Sequence, residues 1–128
     1  MSGPLTTLLI CIAGGIGAAL RLVLDVLIRA RTQSTYPIGT TVINVTGSFL
    51  LGLLTGLATG DLVAHQWQLV VGSGLLGGYT TFSTASFETV RLIEDRRYVT
   101  ATFNGLVMLV ACVAAAALGF AAALLLTR

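Results

Sequence analysis

The sequence predicts an all-helical integral membrane protein with four transmembrane helices, the third of them broken near the bilayer midplane. First, 55% of the 128 residues are hydrophobic and only 9% are charged, whereas soluble domains have about a quarter charged residues. Second, four apolar segments each reach the ~20 residues that a helix needs to cross the ~30 Å core of a bilayer. The lipid bilayer is therefore the expected surroundings of the chain.

Short polar loops join the four predicted spans, and Pro37 closes the first loop, RARTQSTYP. The spans comprise about residues 5–28, 38–59, 67–91 and 99–126, so that residues 1–128 form a single four-helix membrane domain. The basic residues are too dispersed to follow a nucleic-acid backbone. Cys11 and Cys112 lie in apolar runs, where a thiol packs as a small hydrophobe, and we expect neither a disulfide nor a thiolate metal site.

The first and second spans carry small residues at helical spacing. Residues four apart lie on one face of a helix, and small side chains let another backbone approach closely. We interpret these faces as packing surfaces. They are formed by Gly14 with Ala18 and Gly15 with Ala19 on the first span, and by Ser48, Gly52, Gly56 and Gly60 on the second.

The third span contains GGYTTFSTASFE at residues 77–88, where five serines and threonines follow two glycines. Irregular backbone at membrane depth survives only where protein or an aqueous cavity surrounds it. A helix broken there frees carbonyls that bind a cation, and amides or hydroxyls that meet an anion. The alternative is that the hydroxyls only donate to carbonyls one turn earlier. Because one four-helix chain can hardly enclose such a break, we expect an oligomer.

Charged residues inside the spans are candidate functional residues, because they are unfavourable in a membrane. Glu88 either lines a vestibule or pairs with Arg91, three residues later. Arg21 either forms an ion pair with Asp25 or adds positive charge to an anion vestibule.

Two uncharged residues suit an anion. Asn44, one turn after Thr40 on the second span, is a neutral donor that fits a poorly hydrated anion better than a cation. The ring edge of Phe82 carries partial positive charge, although packing is the commoner role of phenylalanine.

The arginines are distributed unequally between the two ends of the spans. The positive-inside rule favours both termini outside and the arginine-bearing loops in the cytoplasm. Those loops, the first and third, contain Arg29, Arg31, Arg96 and Arg97, whereas the opposite side has Arg128 and His65 beside Asp61.

Taken together, the motifs resemble the small Fluc (CrcB-like) fluoride channels of bacteria. The likeness covers almost the whole chain and rests on GGIGAALR at 14–21, GTTVINVTGSF at 39–49 and GGYTTFST at 77–84. Members of that family are antiparallel dimers of four-helix subunits that export fluoride passively through two narrow pores. The resemblance implies a fluoride channel of the inner membrane that confers fluoride resistance, and no enzymatic activity.

The resemblance also implies roles for individual residues. The backbone carbonyls of Gly77 and Thr80 from both subunits would hold a sodium ion at the dimer centre. Arg21 would attract the anion near a mouth of the channel. The fluoride pathway would be formed by Asn44 and Phe82, with Thr40, Ser83, Glu88 and Asn104 in its polar track.

Two departures from the family pattern concern the pore. The second phenylalanine, three residues after the first, is here Ala85, and Phe87 lies about 200° away from it around a helix. The last span, where the family places hydroxyl groups, has Asn104, Met108, Cys112 and Ala116. With the arginine imbalance, these departures favour a heterodimer in which a paralogous subunit, inserted the opposite way, completes one working pore.

Other interpretations stay open at this point. A homodimeric fluoride channel with altered pores is one. A proton-coupled exporter of the small multidrug type is another, although it needs an acidic residue within the first helix, and Asp25 lies near the end of that helix. A purely structural membrane subunit would leave the broken span without a purpose.

Overall fold

The computed structural model describes residues 3–127, and within them helices are joined by short loops. Helix α1 comprises Gly3–Arg31, and α2 comprises Ile38–Thr59, the bounds predicted for the second span. The third span consists of α3, residues 65–79, and α4, Phe82–Glu94. Helix α5 runs over Tyr98–Leu126. Arg128 lies outside the described residues.

Three of these helices, α1, α2 and α5, are each long and apolar enough to cross a membrane. The third span does not form one such helix because it is broken into two pieces. Three helices of membrane-crossing length and composition thus make the chain a multi-pass membrane protein.

Two stretches have wider, π-helical turns, which the sequence analysis did not predict. They are Leu69–Leu76 within α3 and Phe103–Val107 within α5. In such turns each N–H bonds to the carbonyl five residues earlier, and they are frequent at functional sites. The second stretch contains Asn104.

The predicted stripe of small residues on α2 packs against α5. A Cβ atom at Gly52 would collide with the backbone of Ala116, and one at Gly119 would collide with the backbone of Phe49. The two helices therefore approach each other at backbone distance, as small residues permit.

Helix α1 packs against α3 in a similar way. Gly17 lies against the backbone of Leu75, and Gly78 lies against the carbonyl of Gly14. A Cβ at Gly15 would have no described neighbour within 4 Å. The packing surface of α1 therefore includes Gly14, as predicted, and Gly17, which the sequence analysis missed, while Gly15 contributes nothing to it.

Several polar side chains are buried in this largely apolar chain, next to the apolar core. Thr40, Asn44, Thr81 and Asn104 are buried, whereas many large apolar side chains point outward. Outward apolar groups are expected where lipid or another subunit is the neighbour. The buried polar side chains lie around the break in the third span.

Candidate functional site

The third span is broken at Thr80 and Thr81, whose backbones are extended, with φ −79° and ψ 159°, and φ −146° and ψ 120°. The break thus follows the glycine pair instead of coinciding with it. Gly77 is still helical, with φ −63° and ψ −38°, and Gly78 is needed for the close approach to Gly14.

Asn44 of α2 satisfies the backbone at the break. Its Nδ2 donates to the Thr81 carbonyl at 2.9 Å, and the Thr81 N–H donates to its Oδ1 at 2.8 Å. Nδ2 also lies 3.8 Å from Sδ of Met108. Because Asn44 and Thr81 are both buried, these bonds replace helical ones that the interrupted backbone has lost.

The carbonyls of Gly77 and Thr80 are among those beside the break that lose their helical donors. In a continuous α-helix the Thr81 N–H would donate to Gly77, and the Thr84 N–H would donate to Thr80. Instead the Thr81 N–H donates to Asn44, and the Thr84 N–H donates at 3.2 Å to the Thr81 hydroxyl, which caps α4. Carbonyls released in this way are suited to binding a cation, and Gly77 is exposed on the surface of the chain.

The hydroxyl groups near the break have two kinds of partner. Thr80 donates to the Leu76 carbonyl at 3.0 Å, and Ser86 donates to the Phe82 carbonyl at 2.9 Å, so for these two residues the back-bonding alternative holds. The other three form a cluster at the start of α4. In it, Oγ1 of Thr81 lies 3.0 Å from Oγ1 of Thr84 and 3.4 Å from Oγ of Ser83.

A groove of about 570 Å³ lies between α4 and α5 beside the break; we call it the aromatic groove. The ring of Phe82 is 87% exposed, so within the single chain it is largely uncovered. The structure therefore brings together three of the predicted pathway residues and the position of the missing aromatic residue. The residues concerned are Asn44, Phe82 and Asn104, with Ala85, Met108 and Cys112 among the other lining residues.

Asn104 ties α5 to α4. It is fully buried, and its Nδ2 donates to the Ala85 carbonyl at 3.1 Å and to the Thr89 hydroxyl at 2.9 Å. Its Oδ1 has no hydrogen-bond partner in residues 3–127. Ala85 is itself buried, whereas Phe87 is 66% exposed, which agrees with the expectation that Phe87 lies on another face.

A second groove, of about 460 Å³, is lined by Arg21, Asp25, Thr40 and Thr84, and it shares Thr81 with the aromatic groove; we call it the inner groove. No described residue forms an ion pair with Arg21. Asp25 pairs with Arg29 at 2.9 Å instead, so of the two alternatives for Arg21 the ion pair with Asp25 is not formed among the described residues. An acid four residues before a base is the more favourable order on a helix.

A third cavity, of about 410 Å³, lies at the arginine-rich end of the molecule, between the first loop and α4. We call it the outer cavity because loop residues line it at the ends of the helices; the name does not refer to the outside of the cell. Glu88 lines it and accepts hydrogen bonds on Oε1 from the Thr40 hydroxyl at 3.0 Å and from Arg29 at 3.2 Å. Of the two alternatives for Glu88, the pairing with Arg91 is therefore not formed among the described residues, and the position beside a cavity is the one observed. Glu88 faces α1 and α2, and the local spacing to Arg91 could not reveal this.

Arg29 belongs to this site through its bonds to Asp25 and Glu88, although the sequence indicated only that it carries a positive charge at the first loop. Its spacing of four residues from Asp25 was a signal for the local pair. No periodicity points to the pair with Glu88, because 59 residues separate the two side chains.

A family model and several curated relatives match most of the chain, and all of them indicate the same family. The family model described as CrcB-like protein, Camphor Resistance (CrcB), matches residues 8–120. The chain is 52% identical over 116 residues to fluoride-specific ion channel FluC 1 of Leifsonia xyli subsp. xyli, covering 91% of this chain and 85% of the relative. It is 43% identical over 113 residues to fluoride-specific ion channel FluC 3 of Bifidobacterium longum, covering 88% and 93%. It is 46% identical over 110 residues to fluoride-specific ion channel FluC 2 of Mycobacterium bovis, covering 86% and 84%.

Proposed function

Because the chain belongs to the CrcB-like family, we propose that it is a fluoride-selective channel that lets fluoride leave the cell passively across the bacterial inner membrane. Its relatives named fluoride-specific ion channels align over most of its length. The structural observation that carries the proposal is the set of buried polar residues around a broken span in an otherwise apolar molecule. A purely structural subunit has no need of such an arrangement.

The fluoride pathway in this proposal follows the two grooves and the outer cavity. Helix α4 begins at Phe82, and its positive end favours an anion near the break. Fixed donors and ring edges in a narrow path replace the hydration shell of fluoride better than that of the larger chloride. Asn44, Phe82 and Asn104 line the aromatic groove, Thr40 and Arg21 the inner groove, and Glu88 the outer cavity, with Ser83 beside Thr81.

The carbonyls of Gly77 and Thr80 would hold a sodium ion at the centre of a dimer. The donors that would occupy these carbonyls in a helix are directed to Asn44 and to the Thr81 hydroxyl, which supports the assignment. Exposure of Gly77 allows a partner subunit to approach. A bound cation would neutralise the partial negative charge of the converging carbonyls.

The proposed assembly is an antiparallel dimer, and we favour a heterodimer with a paralogous subunit. Phe82 and Gly77 are exposed in the single chain, although irregular backbone at membrane depth needs cover. At Ala85 the aromatic groove lacks a ring, and Met108 and Cys112 bring no hydroxyl groups to it. The numbered names FluC 1, FluC 2 and FluC 3 among the relatives suit genomes with more than one such chain. A homodimer with altered pores is the alternative.

Fluoride efflux from liposomes tests the proposal, with chloride efflux recorded in parallel. We expect the chain alone to be silent, and the chain reconstituted with its paralogue to release fluoride and retain chloride. Efflux from the unaltered chain alone would instead support the homodimer, whereas the absence of fluoride efflux in every composition would exclude the channel.

Phe82→Ile tests whether the aromatic ring of Phe82 takes part in fluoride passage. Because the ring is 87% exposed in the subunit, the substitution removes the aromatic edge and leaves the fold of the subunit intact. We expect the fluoride rate of the conducting composition to fall at least about tenfold, which corresponds to one lost favourable contact. An unchanged rate would contradict the role assigned to Phe82.

A further inference from the structure

An ion-paired cluster joins three helices at the arginine-rich end of the molecule. Arg29 donates through Nε to Oδ2 of Asp25 at 2.9 Å and through Nη2 to Oε1 of Glu88 at 3.2 Å. The same Glu88 oxygen accepts a hydrogen bond from the Thr40 hydroxyl at 3.0 Å. One guanidinium therefore connects carboxylates of α1 and α4, and Thr40 adds α2 to the cluster.

The two carboxylates are far less exposed than the guanidinium that joins them. The side chain of Arg29 is 60% exposed, and those of Asp25 and Glu88 are 23% and 15% exposed. The second oxygen of each carboxylate is buried and unpartnered among residues 3–127. Within that part of the chain Arg29 is the only cation paired with either acid. Removing the partner of a poorly solvated charge is far more unfavourable than losing an exposed pair.

The cluster also lies between two of the cavities. Arg29 and Glu88 line the outer cavity, whereas Asp25 and Thr40 line the inner groove. The hydrogen bond of Arg29 to Asp25 and that of Thr40 to Glu88 each connect a residue of one space with a residue of the other. In the pathway proposed above, which follows the outer cavity and the inner groove, this cluster lies between the two spaces.

We propose that Arg29 is a positioning residue, which holds the Glu88 carboxylate beside Thr40 and so controls anion passage between the outer cavity and the inner groove. This role rests on the channel function proposed above. Asp25 fixes the guanidinium through Nε, so that Nη2 points at Glu88. Without Arg29, the carboxylates of Asp25 and Glu88 face the path with no cation between them, and both repel an entering anion.

The experiment measures fluoride efflux from liposomes with the subunit composition in which the unaltered protein conducts. Arg29→Gln is compared with Arg31→Gln, which removes the same charge from the same helix end at an exposed residue with no ion pair in the described part of the chain. We expect Arg29→Gln to lower the rate at least about tenfold, as for a lost charged hydrogen bond. Arg31→Gln should change the rate by less than about twofold.

Two further variants distinguish the positioning of Glu88 by Arg29 from the effect of the positive charge of Arg29. Arg29→Lys keeps the charge but lacks the planar fork that reaches two carboxylates, and it should restore part of the rate. The double variant Arg29→Gln/Asp25→Asn has the net charge of the original cluster, yet we expect it to stay slow because Glu88 has lost its partner. Full recovery in the double variant would show that only the charge matters and would overturn the proposal.

The remaining outcomes are also decisive. Equal rates for Arg29→Gln and Arg31→Gln would overturn the positioning role, and so would an unaltered rate in Arg29→Gln. If Arg29→Gln does not elute as a monodisperse particle, Arg29→Lys decides, and an unaltered rate in that variant counts against the role. Failure of the unaltered protein to conduct would instead remove the channel function itself.

Discussion

At the scale of single residues, Asn44 shows how one amide side chain can support a broken helix inside a membrane domain. The sequence identified Asn44 as a neutral donor for an anion. The structure shows that both polar atoms of its amide already bond to the backbone of Thr81. A loss of fluoride transport on changing Asn44 would therefore report on the break as well as on any contact with the anion.

This pair of hydrogen bonds leads to a stability prediction for Asn44→Ala. The substitution leaves the buried N–H and C=O of Thr81 without partners, and we expect the free energy of unfolding to fall by about 2 kcal/mol or more. Asn44→Asp should not recover it, because an oxygen then faces the Thr81 carbonyl. Unfolding in detergent measures both variants. Thr55→Ala is the control, since that hydroxyl only donates to a carbonyl of its own helix; equal stability of the Asn44 and Thr55 variants would contradict the prediction.

At the scale of helices, glycine serves packing more than unusual backbone torsion. No glycine among the described residues has a positive φ. Gly52 and Gly119 allow α2 and α5 to meet at backbone distance, and Gly78 does the same for α3 against α1. Spacing of four residues revealed the stripe on α2, but it does not distinguish Gly14, which packs, from Gly15, which does not.

Alanine substitutions at Gly52 and Gly15 should therefore differ in their effect on stability: the first should destabilise the protein and the second should not. A methyl group at Gly52 would meet the Ala116 backbone, and we expect a loss of about 1–3 kcal/mol in unfolding free energy. At Gly15 the methyl group has open space and alanine favours the helix by up to about 1 kcal/mol, so stability should stay equal or rise. Thermal unfolding in detergent compares the two. A destabilised Gly15→Ala together with an unaffected Gly52→Ala would reverse this account of the packing.

At the scale of the whole molecule, the single chain leaves the surface beside the break uncovered. Gly77 and Ser83 are exposed beside the break, and Phe82 is 87% exposed. The proposed dimer would cover this surface and bring the carbonyls of two breaks together. An antiparallel arrangement would also place the ends of corresponding helices at opposite faces of the membrane.

Cysteine cross-linking tests this arrangement after Cys11 and Cys112 have been replaced by serine. Gly77→Cys fits the fold, because the nearest described atom to its Cβ is the Gly72 carbonyl at 3.7 Å. We expect a short thiol cross-linker to join Gly77→Cys to a matching cysteine of the second subunit. Leu125→Cys, which is also exposed, should not link, because an antiparallel pair separates these sites by the ~30 Å bilayer core. Linkage at Leu125 alone would exclude a dimer axis through the breaks.

Composition and local pattern are enough to predict the class of the protein, the bounds of its second helix, the presence of a broken third span and the motifs of its family. These properties follow from composition and from residues close together in the chain, where hydropathy and helical spacing report the local environment. The resemblance to the family then implied roles for individual residues around the break.

The position of the break and the pairing of the charges depend on contacts between helices. The break falls at Thr80 and Thr81 because Asn44, on another helix, satisfies Thr81 there. Glu88 pairs with Arg29 instead of Arg91 because the fold brings together side chains of α1 and α4 that lie 59 positions apart in the chain. Helical spacing specifies the face on which a side chain lies but not the neighbour it meets, so these contacts arise from the way the helices pack.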